Sequence, residues 1–307
     1  MVSDRRTPLW LFPNLLSLDA PLVAVAWLWV FARTWRADYL PTSAYVVLGL
    51  VVWAIYVFDR LFDAALRSGS PELLEDRHRF HLHHRRWFAV AGVMAGVGAL
   101  ITTLASLPVQ ILSYALFGGV MVLGFFALNI FTNHRLGDIP YTKNILAGLA
   151  FAYGTAVAAH VYLPAMDGKT GFRCLDLLIT PEVICFGVLC IVNISAIDLW
   201  EKADHSGDEE KVAAADFTIT VLLAALAAAS VVFAVMESNS HPEVEGFPVQ
   251  EHHVRPFYYS ILIASGLLYI LNRTRHRLPD RLLRVLVDGA FLVPVVIFLV
   301  LQRNLTA

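Results

Sequence analysis

The sequence predicts an all-α, polytopic integral membrane protein, and three observations carry that expectation. The 307-residue chain is 58% hydrophobic and only 16% charged. Its apolar residues gather into about nine blocks, each long enough to cross a hydrocarbon core of about 30 Å. None of these blocks shows the ten-residue alternation of a membrane barrel. They are apolar on every face, so each must satisfy its backbone N–H and C=O groups within its own helix.

The blocks fall at 15–33, 44–64, 88–107, 110–131, 145–164, 181–199, 214–236, 257–272 and 284–301. The first follows a basic amino terminus that lacks a small-residue cleavage site, so a retained helix is expected rather than a signal peptide. The third and fourth are separated by little more than Leu107, Pro108 and Val109, which calls for a tight turn. The eighth, Phe257 to Asn272, is short for a span and is expected to tilt less or to begin earlier. A single transmembrane domain over 1–307 is expected.

Charge placement orients the chain. Of the 23 Lys and Arg residues, 17 fall on the side of the amino terminus and the even-numbered loops: Arg5 and Arg6, six from Arg60 to Arg86, Arg135 and Lys143, Lys202 and Lys211, and five from Arg273 to Arg284. By the positive-inside rule that side is cytoplasmic and the carboxyl terminus is outside, in the cell inner membrane. Topology thus accounts for the basic residues, and with a net charge of -2 no nucleic-acid partner is implied. Cys185 and Cys190 lie inside the sixth block and Cys174 in a loop, a pattern of packing residues rather than of a disulfide framework.

Polar residues gather at three places on the expected cytoplasmic side. At the first, VVWAIYVFDRLFD ends an apolar run with Asp59 and Asp63, four residues apart and therefore on one side of a helix. Two like charges at the mouth of a membrane helix need a cation or a polar partner. Mg²⁺ takes hard oxygen ligands, commonly one or two carboxylates with water and phosphate oxygens. The structural alternative is a helix end on which Arg60 and Arg67 pair with the acids.

At the second place, Ile139-Pro140-Tyr141-Thr142-Lys143-Asn144 opens the fifth block, where Lys143 can meet a phosphate or simply anchor a helix at the interface. At the third, the sixth block ends in Asn193, Asp198, Glu201 and Asp204 at helical spacings. Both acidic ends run into a Ser-Gly turn, Ser68-Gly69 and Ser206-Gly207, which reads as a weak internal repeat converging on one cavity. Two unrelated solvated helix ends are the alternative.

Taken in order, these elements resemble the UbiA-type membrane prenyltransferases over most of the chain. Asp59-Arg60-Leu61-Phe62-Asp63 looks like the acidic element closing the family's second helix. Pro140-Tyr141-Thr142-Lys143 looks like its proline, tyrosine and lysine segment, and Asp198 like the start of its second acidic element. The resemblance implies a UbiA-like helical bundle around a central cavity. It also implies an enzyme that transfers a prenyl group from an isoprenoid diphosphate to a lipophilic, often aromatic, acceptor within the membrane lipid. Mg²⁺ would bridge the diphosphate to Asp59, Asp63, Asp198, Glu201 and Asp204. Arg77, Lys143, Tyr141 and Asn193 would contact substrate.

The chain departs from the family pattern in three places. Ile55 and Tyr56 stand where an Asn-Asp pair is usual. Lys202 stands four residues after Asp198, where a second aspartate is usual, with Glu201 a stand-in ligand. A histidine-rich stretch follows Arg77 where proline is common. A non-catalytic relative that kept the scaffold is the alternative these departures leave open.

The run His78, His81, His83 and His84 invites comparison with di-iron membrane oxidases. Such sites need several histidine boxes on one face, and elsewhere on the cytoplasmic side only His134, His205 and His276 are available, none in a paired box. A basic amphipathic loop against anionic headgroups is the plainer expectation. The outside loop with His241, Glu243, Glu245, Glu251, His252 and His253 reads as a solvated loop. Asp19, just before Pro21, reads as a helix cap or a cavity residue.

Overall fold

The computed structural model describes residues 9–37, 39–66, 76–135, 140–163, 173–206, 208–239 and 254–305. Among them there are helices and no strands. The helices are α1 (Phe12–Leu15), α2 (Asp19–Thr34), α3 (Thr42–Leu66), α4 (Asp76–His83), α5 (Arg85–Ser106), α6 (Ile111–Arg135), α7 (Pro140–Val161), α8 (Arg173–Leu178), α9 (Pro181–Ser206), α10 (Glu209–Asn239), α11 (Arg255–Thr274) and α12 (Asp280–Leu305).

Eight of the nine apolar blocks each fall on one of these helices, and the first begins at the end of α1 and continues through α2. Among the described residues seven helices are long and apolar enough to cross a membrane: α3, α5, α6, α7, α9, α10 and α12. The 16 residues of α2 reach only about 24 Å at 1.5 Å per residue. Helix α11 does begin earlier than its apolar block, at Arg255, but it carries Tyr258, Tyr259, Ser260, Ser265, Tyr269 and Asn272. Length and hydropathy thus support seven of the expected spans among the described residues. Two further segments expected as loops are helical: the histidine run forms α4, and Cys174 is buried on α8. All three cysteines are buried and free.

The chain divides into two compact units. The first comprises residues 1–25 and 41–109, in which α3 packs along α5 and against α4, and α1 packs on α4. Gly92 lets α5 approach α3: a methyl group there would lie 3.1 Å from the Phe58 ring. The turn joining α1 to α2 holds Ser17 at φ 58°, a left-handed conformation uncommon for serine. Neighbours pin that turn: the Trp53 indole donates to the Leu16 carbonyl at 2.8 Å, and the Ser17 hydroxyl lies 3.3 Å from His81 Nε2.

The second unit comprises residues 26–40 and 110–307, with α7 packed on α6 and α9, α10 on α9 and α11, and α11 on α12. Its core is aromatic. Trp27 stacks on Phe186 at 4.4 Å and meets Phe257 and Phe291 edge-on at 5.7 and 6.5 Å. The Trp27 indole also donates to the Phe291 carbonyl at 3.0 Å, beside the gap that Pro294 leaves in the hydrogen-bond ladder of α12.

In lipid, apolar transfer contributes little to bringing helices together, so close packing and polar contacts must do so. Helices α7 and α9 show how. A methyl group on Gly148 would lie 2.7 Å from the Ile191 backbone nitrogen, so only glycine permits this crossing. One turn away on each helix, Asn144 donates to the Ser195 hydroxyl at 3.5 Å. Gly148→Ala is expected to lower stability by about 1–3 kcal/mol through overpacking. Thermal unfolding of the purified protein in detergent checks this, and an unchanged midpoint would show that the crossing tolerates a side chain.

Candidate functional site

Asp59 and Asp63 lie in the last two turns of α3, in the first unit, and both are partly exposed. Four residues on a helix separate them by about 6 Å of rise and about 40° of rotation. Arg60, between them in sequence, takes a different course. Its guanidinium is buried, donates to the Asn14 carbonyl and lies 3.7 Å from Asp19 Oδ2. The Asn14 amide donates to the same carboxylate oxygen at 2.7 Å, while Asp19 Oδ1 accepts the Ala20 N–H at 3.0 Å. Asp19 therefore joins the start of α2 to the acidic end of α3, a role beyond that of a cap.

The histidine run does not act as one group. His81 is fully buried and stacks on Phe88 at 4.1 Å. His84 turns Nδ1 onto the Phe80 carbonyl at 3.0 Å, and His83 is exposed. Among the described residues no three His, Cys, Asp or Glu side chains stand close enough together to hold a metal ion. An imidazole-rich iron centre needs such a group; Mg²⁺ does not, because one or two carboxylates suffice when water and phosphate oxygens complete the octahedron. The Asp59–Asp63 pair, a hard-oxygen donor set, fits that requirement.

The other candidates belong to the second unit. Lys143, in the first turn of α7, donates to Asn129 Oδ1 at 3.0 Å and sits 5.3 Å from the centroid of the Phe125 ring. An ammonium group has three donors, so this contact orients the lysine without exhausting it. On α9, Asn193 Oδ1 is buried with no hydrogen-bond partner among the described residues, and Asp198 lies a little over one turn further along, partly exposed. A buried amide oxygen of this kind costs roughly 1–3 kcal/mol unless a ligand or water completes it, which suits a substrate contact. The side chains of Arg77, Tyr141, Glu201 and Asp204 lie outside the described residues, as do Ser68-Gly69, Gly207 and the loop from His241 to His253.

Beyond Asp198, the same end of α9 enters a buried polar knot. Trp200 Nε1 donates to Asn272 Oδ1 at 2.7 Å, and Asn272 Nδ2 reaches Thr220 Oγ1 at 3.4 Å. Arg275, 3% exposed, lies 3.0 Å from Asp216 and over the Trp200 ring at 6.0 Å. In the sequence Arg60 reads as a loop charge or as a partner of the neighbouring acids, Arg275 reads as a loop charge, and Asn14, Asn129 and Asn272 belong to no motif. For Asn129 and Asn272 the signal was a lone amide inside or ending an apolar block, where an uncompensated polar group is costly.

No family model matches the chain, and no curated protein and no solved structure matches it either.

Proposed function

We propose that this protein is a UbiA-type intramembrane prenyltransferase, moving a prenyl group from an isoprenoid diphosphate to a lipophilic acceptor with Mg²⁺. The observation that carries this reading is the placement of Asp59 and Asp63 on successive turns at the end of a membrane-length helix. The order of the Tyr141–Lys143 segment and the Asp198 element along the chain supports it.

Asp59 and Asp63 would hold the metal in the first unit, with Asp198 and the acids after it, Glu201 and Asp204, serving the second acidic element. When bound, Mg²⁺ supplies charge neutralisation for the diphosphate. Lys143, oriented by Asn129, contacts a phosphate oxygen as a point charge, and Arg77 and the orphaned Asn193 oxygen serve as further substrate contacts. The C1–O bond of the donor breaks, with its electron pair leaving on diphosphate. The acceptor then bonds to C1 and releases a proton. Apolar helix surface keeps water from the allylic cation.

The test incubates purified protein with Mg²⁺ and labelled diphosphates of several chain lengths. Saturable binding and release of inorganic diphosphate are expected; binding that ignores Mg²⁺ would overturn the reading. In the same assay Lys143→Ala is expected to weaken diphosphate binding by about 10- to 100-fold while leaving the matching prenyl alcohol unaffected, as loss of a charge-assisted hydrogen bond of about 1.5–3 kcal/mol implies. Equal losses for both ligands would make Lys143 a packing residue.

A further inference from the structure

The ten residues from Arg77 to Arg86 include four arginines and four histidines and no acid. Packing decides which of them face outward. On α4, His81 points inward, stacked on Phe88 and bonded to Ser17, and Phe80 meets the Phe88 ring at 5.8 Å. With that side of α4 anchored, Arg79 and His83 are exposed, as are Arg85 and Arg86 in the first turn of α5.

The next residue, Trp87, is 78% exposed, the highest value among the described large hydrophobic residues. From it an apolar stripe follows the three-four spacing of one helix face: Val90, Met94, Val97, Ile101 and Leu104, each at least 50% exposed. It extends about 25 Å at 1.5 Å per residue, on a helix long and apolar enough to cross a membrane.

The surface thus runs from the two exposed arginines of the first turn of α5, through an indole, to a continuous apolar track. A lipid-facing helix needs only the last of these. The ordered set matches the phosphate, glycerol and acyl regions of a phospholipid, and the paired arginines complement a headgroup with net negative charge.

We infer that the corner of α4 and α5 binds an anionic phospholipid, its headgroup against Arg85 and Arg86 and an acyl chain along the stripe from Trp87 to Leu104. This site stands apart from the prenyltransferase reading and uses none of its residues.

The experiment places the full chain in phosphatidylcholine vesicles containing brominated phosphatidylglycerol or brominated phosphatidylcholine. The Trp87 signal is taken as the difference from Trp87→Phe. Brominated phosphatidylglycerol is expected to quench Trp87 at a lower mole fraction, with a preference of about fivefold per arginine at low ionic strength. In the Arg85→Gln/Arg86→Gln variant, whose changes lie on an exposed surface, the two lipids should quench alike. Equal quenching in the unmodified protein, or a preference that survives in the double variant, overturns the inference.

Discussion

Asp59→Ala and Asp63→Ala are each expected to reduce Mg²⁺-dependent binding of an isoprenoid diphosphate by about 100-fold. Residues that merely support metal ligands carry about 10–100-fold in metal affinity, so losing a ligand should reach the top of that range. Both residues are partly exposed, and although Asp59 Oδ1 is itself buried, neither side chain belongs to the apolar core. The variants should therefore insert and fold normally, and Asp59→Asn, which keeps the shape but removes the charge, should behave like Asp59→Ala. Asp208→Ala, an acid in the connection between α9 and α10 that pairs with Lys211 at 3.6 Å, is expected to bind like the unmodified protein. Titration of labelled diphosphate with and without Mg²⁺ is the measurement. Undiminished affinity in both α3 variants would remove the metal role from this helix end.

Arg60→Ala is expected to act on the fold, at a cost of about 3–5 kcal/mol, the range for breaking a buried ion pair by removing one partner. The side chains of Arg60 and Asp19 are only 6% and 13% exposed, and the same guanidinium serves the Asn14 carbonyl. Removing it leaves the Asp19 carboxylate without its counter-ion in the first unit, while the Asn14 carbonyl keeps the Ser17 N–H at 3.2 Å. The Asn14 amide still reaches Asp19, so compensation is partial. In a double-mutant cycle with Asp19→Ala, the paired variant should lose less than the sum of the two single losses. Denaturant unfolding in mixed micelles reads the cycle, and strict additivity would show that the contact contributes nothing. Because Arg60 sits between Asp59 and Asp63, Arg60→Ala should also loosen Mg²⁺-dependent binding, less than either aspartate variant does.

The all-helical membrane architecture was legible in composition and block length, for a simple reason. Inside lipid the backbone has no partner but itself, so a long segment apolar on every face has one stable conformation. The same reading placed Asp59 and Asp63 at a helix mouth, because like charges at the end of an apolar run stand out whatever the neighbouring helices do. Its limits lay at the margins of hydropathy. Helix α2 falls short once Ser17 breaks it from α1, and α11 buries Tyr258, two serines and an amide that composition alone counts against a membrane helix.

Partnership among polar residues was not legible. Arg60, flanked by two acids, reads locally as their counter-ion, yet it reaches Asp19 and Asn14 at the far end of another segment. His81 reads as one of four equivalent imidazoles, yet it is shut against Ser17 and Phe88 while His83 is exposed. Lys143 meets Asn129, Trp200 meets Asn272, and Arg275 meets Asp216, each across two helices. Hydropathy belongs to a segment and survives without its neighbours. The partner of a buried charge depends on which helices lie side by side, and spacing along one chain does not encode that adjacency.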